Sequence, residues 1–141
     1  MGGNGFVHVT VVGARNMRQS NKDLFVSLRL WPNDAPGQSH PSEHGWNRRT
    51  DSDERSGKGE DPQWNQSYVI PISWKPGDEK PPIINFELKK KVTMGGGLIG
   101  SSILDIAPFI LFPNQPTSMY LPLGKDGRDG ELLINVQFVH V

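Results

Sequence analysis

Phe6-Val7-His8-Val9-Thr10-Val11-Val12, near the N-terminus, is an extended segment in which valine returns at every second position. Successive side chains of a β-strand point to opposite faces, so Val7, Val9 and Val11 share one face of a strand. The same alternation returns over residues 24–31. The pattern predicts two strands, each with one face in a hydrophobic core and the other toward solvent.

Turn-forming residues are spread through the whole chain. Glycine and proline account for 16 and 12 of the 141 residues, and they fall between short apolar runs. This spacing favours strands and turns, and it predicts an all-β, eight-stranded antiparallel β-sandwich. The one helix that we expect has one or two turns near residues 101–107 and is stopped by Pro108. The predicted strands cover residues 6–12, 24–31, 46–50, 65–73, 83–89, 98–106, 118–123 and 131–141.

The composition excludes several classes of protein. Fifteen basic residues balance fifteen acidic ones, which argues against a nucleic-acid binder, because such proteins neutralise phosphates with excess Lys and Arg. The absence of cysteine excludes disulfides and thiol chemistry, and a reducing, cytoplasmic location is expected. The length fits a single domain over residues 1–141. Strand-like runs close to both ends predict that this domain is excised from a larger protein.

Residues 32–62 do not follow the pattern of short apolar strands separated by turns that the rest of the chain shows. This stretch is polar and rich in proline and glycine, and only its centre, residues 44–50, has a strand-like sequence. We expect a long polar loop region around one short strand. Asp51-Ser52-Asp53 begins like an EF-hand loop, but Pro62 stands where the last ligand, a glutamate, is required. The interpretation is a solvated acidic loop whose carboxylates pair with Lys89, Lys90 and Lys91.

The motif-like stretches of this sequence do not indicate an enzyme. Gly95-Gly96-Gly97-Leu98-Ile99-Gly100 satisfies G-x-G-x-x-G, but a dinucleotide-binding fold needs a long helix next, and Pro108 prevents one. We interpret the adjacent glycines as a loop tip. His40 and His44 have helical spacing for a metal pair, although Pro41 argues against a helix there. We predict a protein that is not an enzyme and carries no cofactor.

A family resemblance follows from the order of short motifs. Val7–Met17 resembles the opening strand of a C2 domain, L-x-V-x-V-x-x-A-x-x-L, and six further matches follow in the family's order. Because the chain opens with this strand and closes with Gly130–Val136, the resemblance implies the circular strand order called type II. The further matches are Asp23-Leu24-Phe25-Val26 with D-P-Y-V, Asp61-Pro62-Gln63-Trp64-Asn65-Gln66 with N-P-x-W-N-E, Ile84–Leu88 with the strand entering the third loop, Leu98-Ile99-Gly100 with x-I-G, Tyr120-Leu121-Pro122-Leu123 with W-x-x-L, and Gly130–Val136 with the closing strand.

Physical chemistry alone assigns scaffold roles to the matched residues. Trp64 follows Asp61-Pro62 and is interpreted as an aromatic anchor that fixes the entry of a strand. Gly100 is expected to supply a turn conformation or a close backbone contact.

The resemblance implies a calcium site, and this sequence departs from it. C2 domains typically bind calcium through aspartates of the first and third loops, and the bound ions bridge to anionic phospholipid. Calcium needs six to eight oxygen ligands, yet Asp23 is the only family ligand position retained here. Lys90, Val92 and Gly97 stand where the other acids would align. A lysine in the cavity repels a metal ion, so we predict no calcium and no other metal.

Two surfaces remain as candidates for binding. The third loop combines Lys89, Lys90 and Lys91 with the apolar Met94, which suits attachment to anionic phospholipid. The outward face of the second strand carries Arg29 and Trp31 with Phe25, and we expect Arg48 and Arg49 of the third strand to join them. An exposed aromatic residue beside arginine is typical of protein interfaces. We therefore expect a calcium-independent module that attaches to anionic membranes or, as the alternative, docks another protein.

Overall fold

The computed structural model describes residues 3–17, 23–31, 46–53, 61–74, 82–91 and 96–140. Within these ranges the chain forms eight β-strands, one short α-helix and one 3-10 turn. The elements are β1 Gly3–Arg15, β2 Leu24–Trp31, β3 Asn47–Arg49, β4 Gln63–Trp74, β5 Ile83–Lys91, β6 Gly96–Asp105, α1 Ala107–Leu111, β7 Thr117–Pro122, the 3-10 turn Lys125–Gly127 and β8 Glu131–His140.

The strands form two sheets of four. Sheet A has the order β4-β1-β8-β7, sheet B has the order β3-β2-β5-β6, and every neighbouring pair is antiparallel. The predicted eight-stranded antiparallel sandwich is confirmed. The first and last strands lie side by side in sheet A, as a circular strand order requires.

The predicted alternation places the core between the two sheets. Val7, Val9 and Val11 of β1 are fully buried, and so are alternate residues of β2. Phe86 and Phe138 are the largest of the fully buried side chains. Burying apolar area contributes about 25 cal/mol per Å², so this interlayer core dominates the stability of the sandwich.

The helix lies later in the chain than the sequence predicts. Residues 101–105 are part of β6, and α1 spans Ala107–Leu111 with Pro108 in its first turn. The prediction that Pro108 stops a helix was wrong. The first turn of a helix leaves its N–H groups without intrahelical partners, so a proline there loses no hydrogen bond and its fixed φ suits the helix.

A bulge in β1 shapes the end of the sandwich where the three loops meet. The register of β1 shifts between Val11 and Gly13, and the Ala14 N–H then donates to the Pro62 carbonyl oxygen at 3.1 Å. A Cβ atom on Gly13 would lie 2.6 Å from that oxygen, so only glycine permits this approach. The contact fixes the start of β4 against β1.

Trp64 ties the same start of β4 to the opposite sheet. Its side chain is partly buried against the core, and its indole Nε1 donates a hydrogen bond to the Leu24 carbonyl oxygen at 3.0 Å. The indole therefore serves as the anchor that the sequence predicts, and it sets the start of β4 beside the start of β2.

Candidate functional site

The start of β2 and the end of β5, which border the first and third loops, lie side by side at one end of the sandwich. Leu24 pairs with Lys90 in the antiparallel register, and the Lys91 N–H donates to the Asp23 carbonyl oxygen at 3.1 Å. Asp23 has a positive φ of 56°, a conformation that Asp tolerates better than most residues. Asp23 therefore lies next to the lysine run at the end of β5.

The lysine run divides between the two faces of sheet B. Lys90 has the same parity as the buried Leu88, so its side chain starts from the inner face, whereas Lys89 and Lys91 start from the outer face. The Lys89 ammonium lies 4.0 Å from a Glu87 carboxylate oxygen, and its side chain is 26% exposed. Lys91 is exposed. The three lysines therefore do not present one continuous basic face.

Lys90 lies across the start of β6. Gly96 and Gly97 pair with Lys91 and Lys90, so these two glycines belong to a strand and the prediction of a loop tip was wrong for them. A Cβ atom on Gly97 would lie 2.7 Å from Lys90 Cγ and 2.8 Å from Lys90 Cε. The missing side chain makes room for the lysine stem. Val92, Met94 and Gly95 lie outside the described residues.

Two acids of the predicted polar region, Asp51 and Asp53, are hydrogen-bonded to residues of β2 and β4. The Asp53 N–H donates to the Leu24 carbonyl oxygen at 2.9 Å, and its carboxylate accepts the Gln63 N–H at 2.8 Å. Asp53 is buried. The Asp51 carboxylate accepts a hydrogen bond from the Gln66 side-chain amide at 3.0 Å. Within the predicted polar region, the short strand is present as β3, while residues 32–45 and 54–60 lie outside the described part of the chain.

In the described ranges no three His, Cys, Asp or Glu side chains come close enough together to hold a metal ion. Of the two histidines that have helical spacing, His40 and His44, neither lies in the described part of the chain.

The second candidate surface is the outer face of sheet B. Trp31 is 41% exposed and lies opposite Ile83, and Arg29 is exposed and lies opposite Asn85. Phe25 and Lys89 form the cross-strand pair at the other end of this face. Arg29 and Trp31 therefore point to one side of the sheet, as the alternation predicts.

Arg48 does not lie on that face, because the register of β3 places it opposite an inward-facing residue of β2. It lies opposite Leu28, an inward-facing residue, and its guanidinium sits over the Trp46 ring at 5.4 Å from the ring centroid. Arg49 lies opposite Ser27 instead, with its guanidinium over the Phe25 ring at 5.6 Å. Arg49 thus joins Arg29 and Trp31. Strict alternation along residues 47–49 separates the two arginines, but only the observed pairing shows which one points outward.

None of the helices in the described ranges is long and apolar enough to cross a lipid bilayer.

Comparison with solved structures identifies the fold. A C2 domain of a plant extended synaptotagmin 1 superposes with a TM-score of 0.71 at 22% sequence identity, and the match covers 97% of this chain and 95% of that domain. Human group IVD cytosolic phospholipase A2, in complex with a fluorophosphonate inhibitor and terbium chloride, matches at 17% identity and a TM-score of 0.71. That match covers all of this chain but 18% of the phospholipase chain. The chain has a C2-like fold.

A further match has calcium in its structure. Two C2 domains of extended synaptotagmin 2, calcium bound, match at 12% identity with a TM-score of 0.68, over 96% of this chain and 46% of theirs. No protein-family model matches the sequence, and no curated protein matches it significantly. At these identities the likeness is one of fold, and what the site does has to be argued from its residues.

Proposed function

We propose that this chain is a non-catalytic, calcium-independent C2-like module that attaches to anionic phospholipid membranes. The contacts are Lys89, Lys90 and Lys91 with Met94 of the third loop. The proposal is supported mainly by Lys90, which pairs with Leu24 beside Asp23 at the end of the sandwich. A tethered ammonium group there supplies the positive charge that calcium would otherwise bring.

The strength of such an attachment follows from its charges. A lysine near an anionic leaflet contributes about 1 kcal/mol, so three contribute about 3 kcal/mol at most. Glu87 beside Lys89 reduces this sum. An apolar Met94 side chain that enters the lipid interface adds roughly 1–2 kcal/mol. The module alone binds weakly, and a second membrane contact in the same assembly would raise the avidity.

Vesicle sedimentation tests this proposal. The chain should bind vesicles that contain phosphatidylserine, bind neutral vesicles much less, and be released at high salt, since exposed charges are screened. The double variant Lys89→Glu/Lys91→Glu should lose binding by at least about tenfold. The matched control is Arg48→Glu, which reverses an exposed charge on β3 and should leave binding unchanged. Failure to bind any anionic vesicle would refute the proposal.

A second candidate function is docking of another protein through Arg29 and Trp31, with Arg48 nearby on β3. It is favoured by the exposed Trp31, since tryptophan and arginine dominate the binding energy of protein interfaces. Trp31→Ala and Arg29→Glu should abolish capture of a purified partner that Lys90→Glu, at a lysine whose side chain starts from the inner face, still binds. Retention of that partner by Trp31→Ala would exclude this surface.

A peripheral, cytoplasmic location forms part of the first proposal. The net charge is zero and the candidate charges lie at one end of the molecule. Attachment is therefore expected to depend on the lipid composition of the vesicle. Membrane fractions from cells that express the chain should release it with salt, and release only by detergent would contradict a peripheral attachment.

A further inference from the structure

The outer face of sheet A carries no charged side chain over its central rows, within the strands that the structure describes. The cross-strand registers define which residues point outward. None of them is Asp, Glu, Lys or Arg, although 21% of the chain is charged. The outward residues are Phe6, His8 and Thr10 of β1, Ser67, Val69, Pro71 and Ser73 of β4, Leu133, Asn135, Gln137 and Val139 of β8, and Ser118, Tyr120 and Pro122 of β7.

The outer face of sheet B, by comparison, carries several charged side chains. There the registers bring Arg29, Arg49, Glu87 and Lys89 outward on three adjacent strands. On sheet A, charged residues reach only one end of the face, where Arg15 and Glu131 pair with each other at 3.2 Å. There Glu131 lies opposite Pro122, and the Arg15 guanidinium stacks 3.3 Å over the Tyr120 ring. The cores of protein interfaces contain fewer charged residues and more aromatic residues than the rest of the surface, and this face has the same composition.

Apolar side chains on this face are open to solvent. Val69 is 52% exposed, Tyr120 is 40% exposed and Phe6 is 38% exposed. Phe6 pairs with Pro71 on one side and with Val139 on the other, so apolar residues are adjacent across three strands. Covering them would remove apolar surface from water at a gain of about 25 cal/mol per Å².

Two pairs of polar groups on the face are already matched within the sheet. The Thr10 and Ser67 hydroxyls lie 2.8 Å apart, and the Ser118 hydroxyl donates to the Asn135 side-chain oxygen at 2.6 Å. Burial of a polar group is costly when it loses its partner. These groups keep theirs when the face is covered, so the cost of covering them is low.

From these observations we infer that the outer face of sheet A is a self-association surface, on which a second copy of this chain packs sheet against sheet. The occupant must be flat and uncharged, because a charged partner would lose the hydration of its ions against a face that offers no counter-charge. This face meets that requirement itself, and a two-fold contact uses the same patch on both copies. Two such sheets pack about 10 Å apart without bringing like charges together.

The size of the face sets the expected affinity. Four strands about 4.8 Å apart and rows about seven residues long give a footprint of roughly 19 by 24 Å, or about 450 Å² per copy, which is below the range of stable interfaces and in that of weak, transient ones. The dimer is therefore weak, with a dissociation constant between about 10 µM and 1 mM.

Sedimentation equilibrium of the chain over this concentration range tests the inference. The chain should pass from monomer to dimer, and Val69→Lys should raise the dissociation constant at least about tenfold, since it buries an ammonium group in the contact without a counter-charge. The matched control is Ile103→Lys, which alters a similarly exposed residue on β6 of the other sheet and should leave the equilibrium unchanged. A monomer at every concentration, or an equal effect of the two variants, overturns the inference.

Dilution followed by amide NMR tests it without any variant. Shifts that change with concentration should map to β4, β1, β8 and β7. Shifts confined to β3, β2, β5 and β6 would place self-association on the other face and would equally overturn the inference.

Discussion

Lys91 donates its backbone N–H to the carbonyl oxygen of Asp23 at 3.1 Å. The bond joins the end of β5 to the residue that precedes β2. Asp23, the position at which the C2 resemblance predicts a calcium ligand, is therefore fixed through its backbone beside the end of the lysine run.

The first prediction concerns calcium. Titration calorimetry of the chain with calcium should give no binding heat, and its melting temperature should shift by less than about 1 °C, because an ion that does not bind the folded state cannot stabilise it. Asp23→Asn should behave like the unmodified chain. A micromolar site that Asp23→Asn removes would contradict the prediction and the proposed calcium independence.

The second prediction concerns the anchor between the sheets. Trp64→Phe removes the hydrogen bond to the Leu24 carbonyl and part of the packing, so the free energy of unfolding should fall by about 1–2 kcal/mol. Urea denaturation measures the change. Trp31→Phe, at a tryptophan that is 41% exposed, is the matched control and should change the free energy of unfolding by less than about 0.5 kcal/mol. Equal losses would refute the anchoring role of Trp64.

Most of the fold can be predicted from the sequence because the core strands alternate so regularly. The valines of residues 7–11 and the apolar residues of 24–31 each point to one side only, and a register slip by one residue would expose them all. The closing strand, residues 131–140, alternates in the same way. A regular alternation of apolar and polar residues therefore indicates the class of fold and the inward-facing side of each strand, even when the strand pairing is unknown.

The errors have one origin, which is that pairing partners are not visible in a single sequence. Gly96 and Gly97 resemble a loop until Lys90 and Lys91 are seen opposite them. Arg48 and Arg49 look equivalent until their opposite residues are known. Pro108 signals a helix boundary, but its neighbours alone do not tell whether the helix begins or ends there. The candidate surfaces depend on the first two of these points, because the glycines lie opposite the lysines and the arginines flank Trp31, whereas Pro108 lies outside both surfaces.

The third prediction concerns Gly100, whose close contact agrees with the role expected from the sequence. A Cβ atom there would lie 2.9 Å from Asp129 Cβ and 3.1 Å from Leu123 Cβ. Gly100→Ala should therefore lower the free energy of unfolding by about 1–3 kcal/mol through overpacking. Ser101→Ala, at the exposed neighbouring position, should change it by less than about 0.5 kcal/mol. Thermal or urea denaturation of the two variants decides between a packing constraint and a general sensitivity of β6.

The fourth prediction concerns acid stability. The Asn16 side-chain amide donates a hydrogen bond to Glu131 Oε1 at 2.9 Å, and this bond lowers the pKa of Glu131 below its ordinary value. The Arg15 guanidinium also lowers this pKa, while desolvation of the carboxylate opposes both effects. The folded chain thus holds the Glu131 proton less tightly than the unfolded chain. The stabilisation is complete above the unfolded pKa of about 4.3 and is lost as the pH falls through the lower folded value.

Carboxyl NMR titration measures this pKa directly. Glu131 should titrate below its ordinary range in the unmodified chain, and Asn16→Ala should raise its pKa, because the hydrogen bond with the largest effect is removed while the Arg15 pair remains. Glu131→Gln should correspondingly lose less stability than the unmodified chain between neutral pH and about pH 3. A Glu131 pKa that does not respond to Asn16→Ala would show that the amide does not hold the carboxylate in solution. The pairing with Arg15, stacked 3.3 Å over the Tyr120 ring, would then be the dominant interaction at this corner of sheet A.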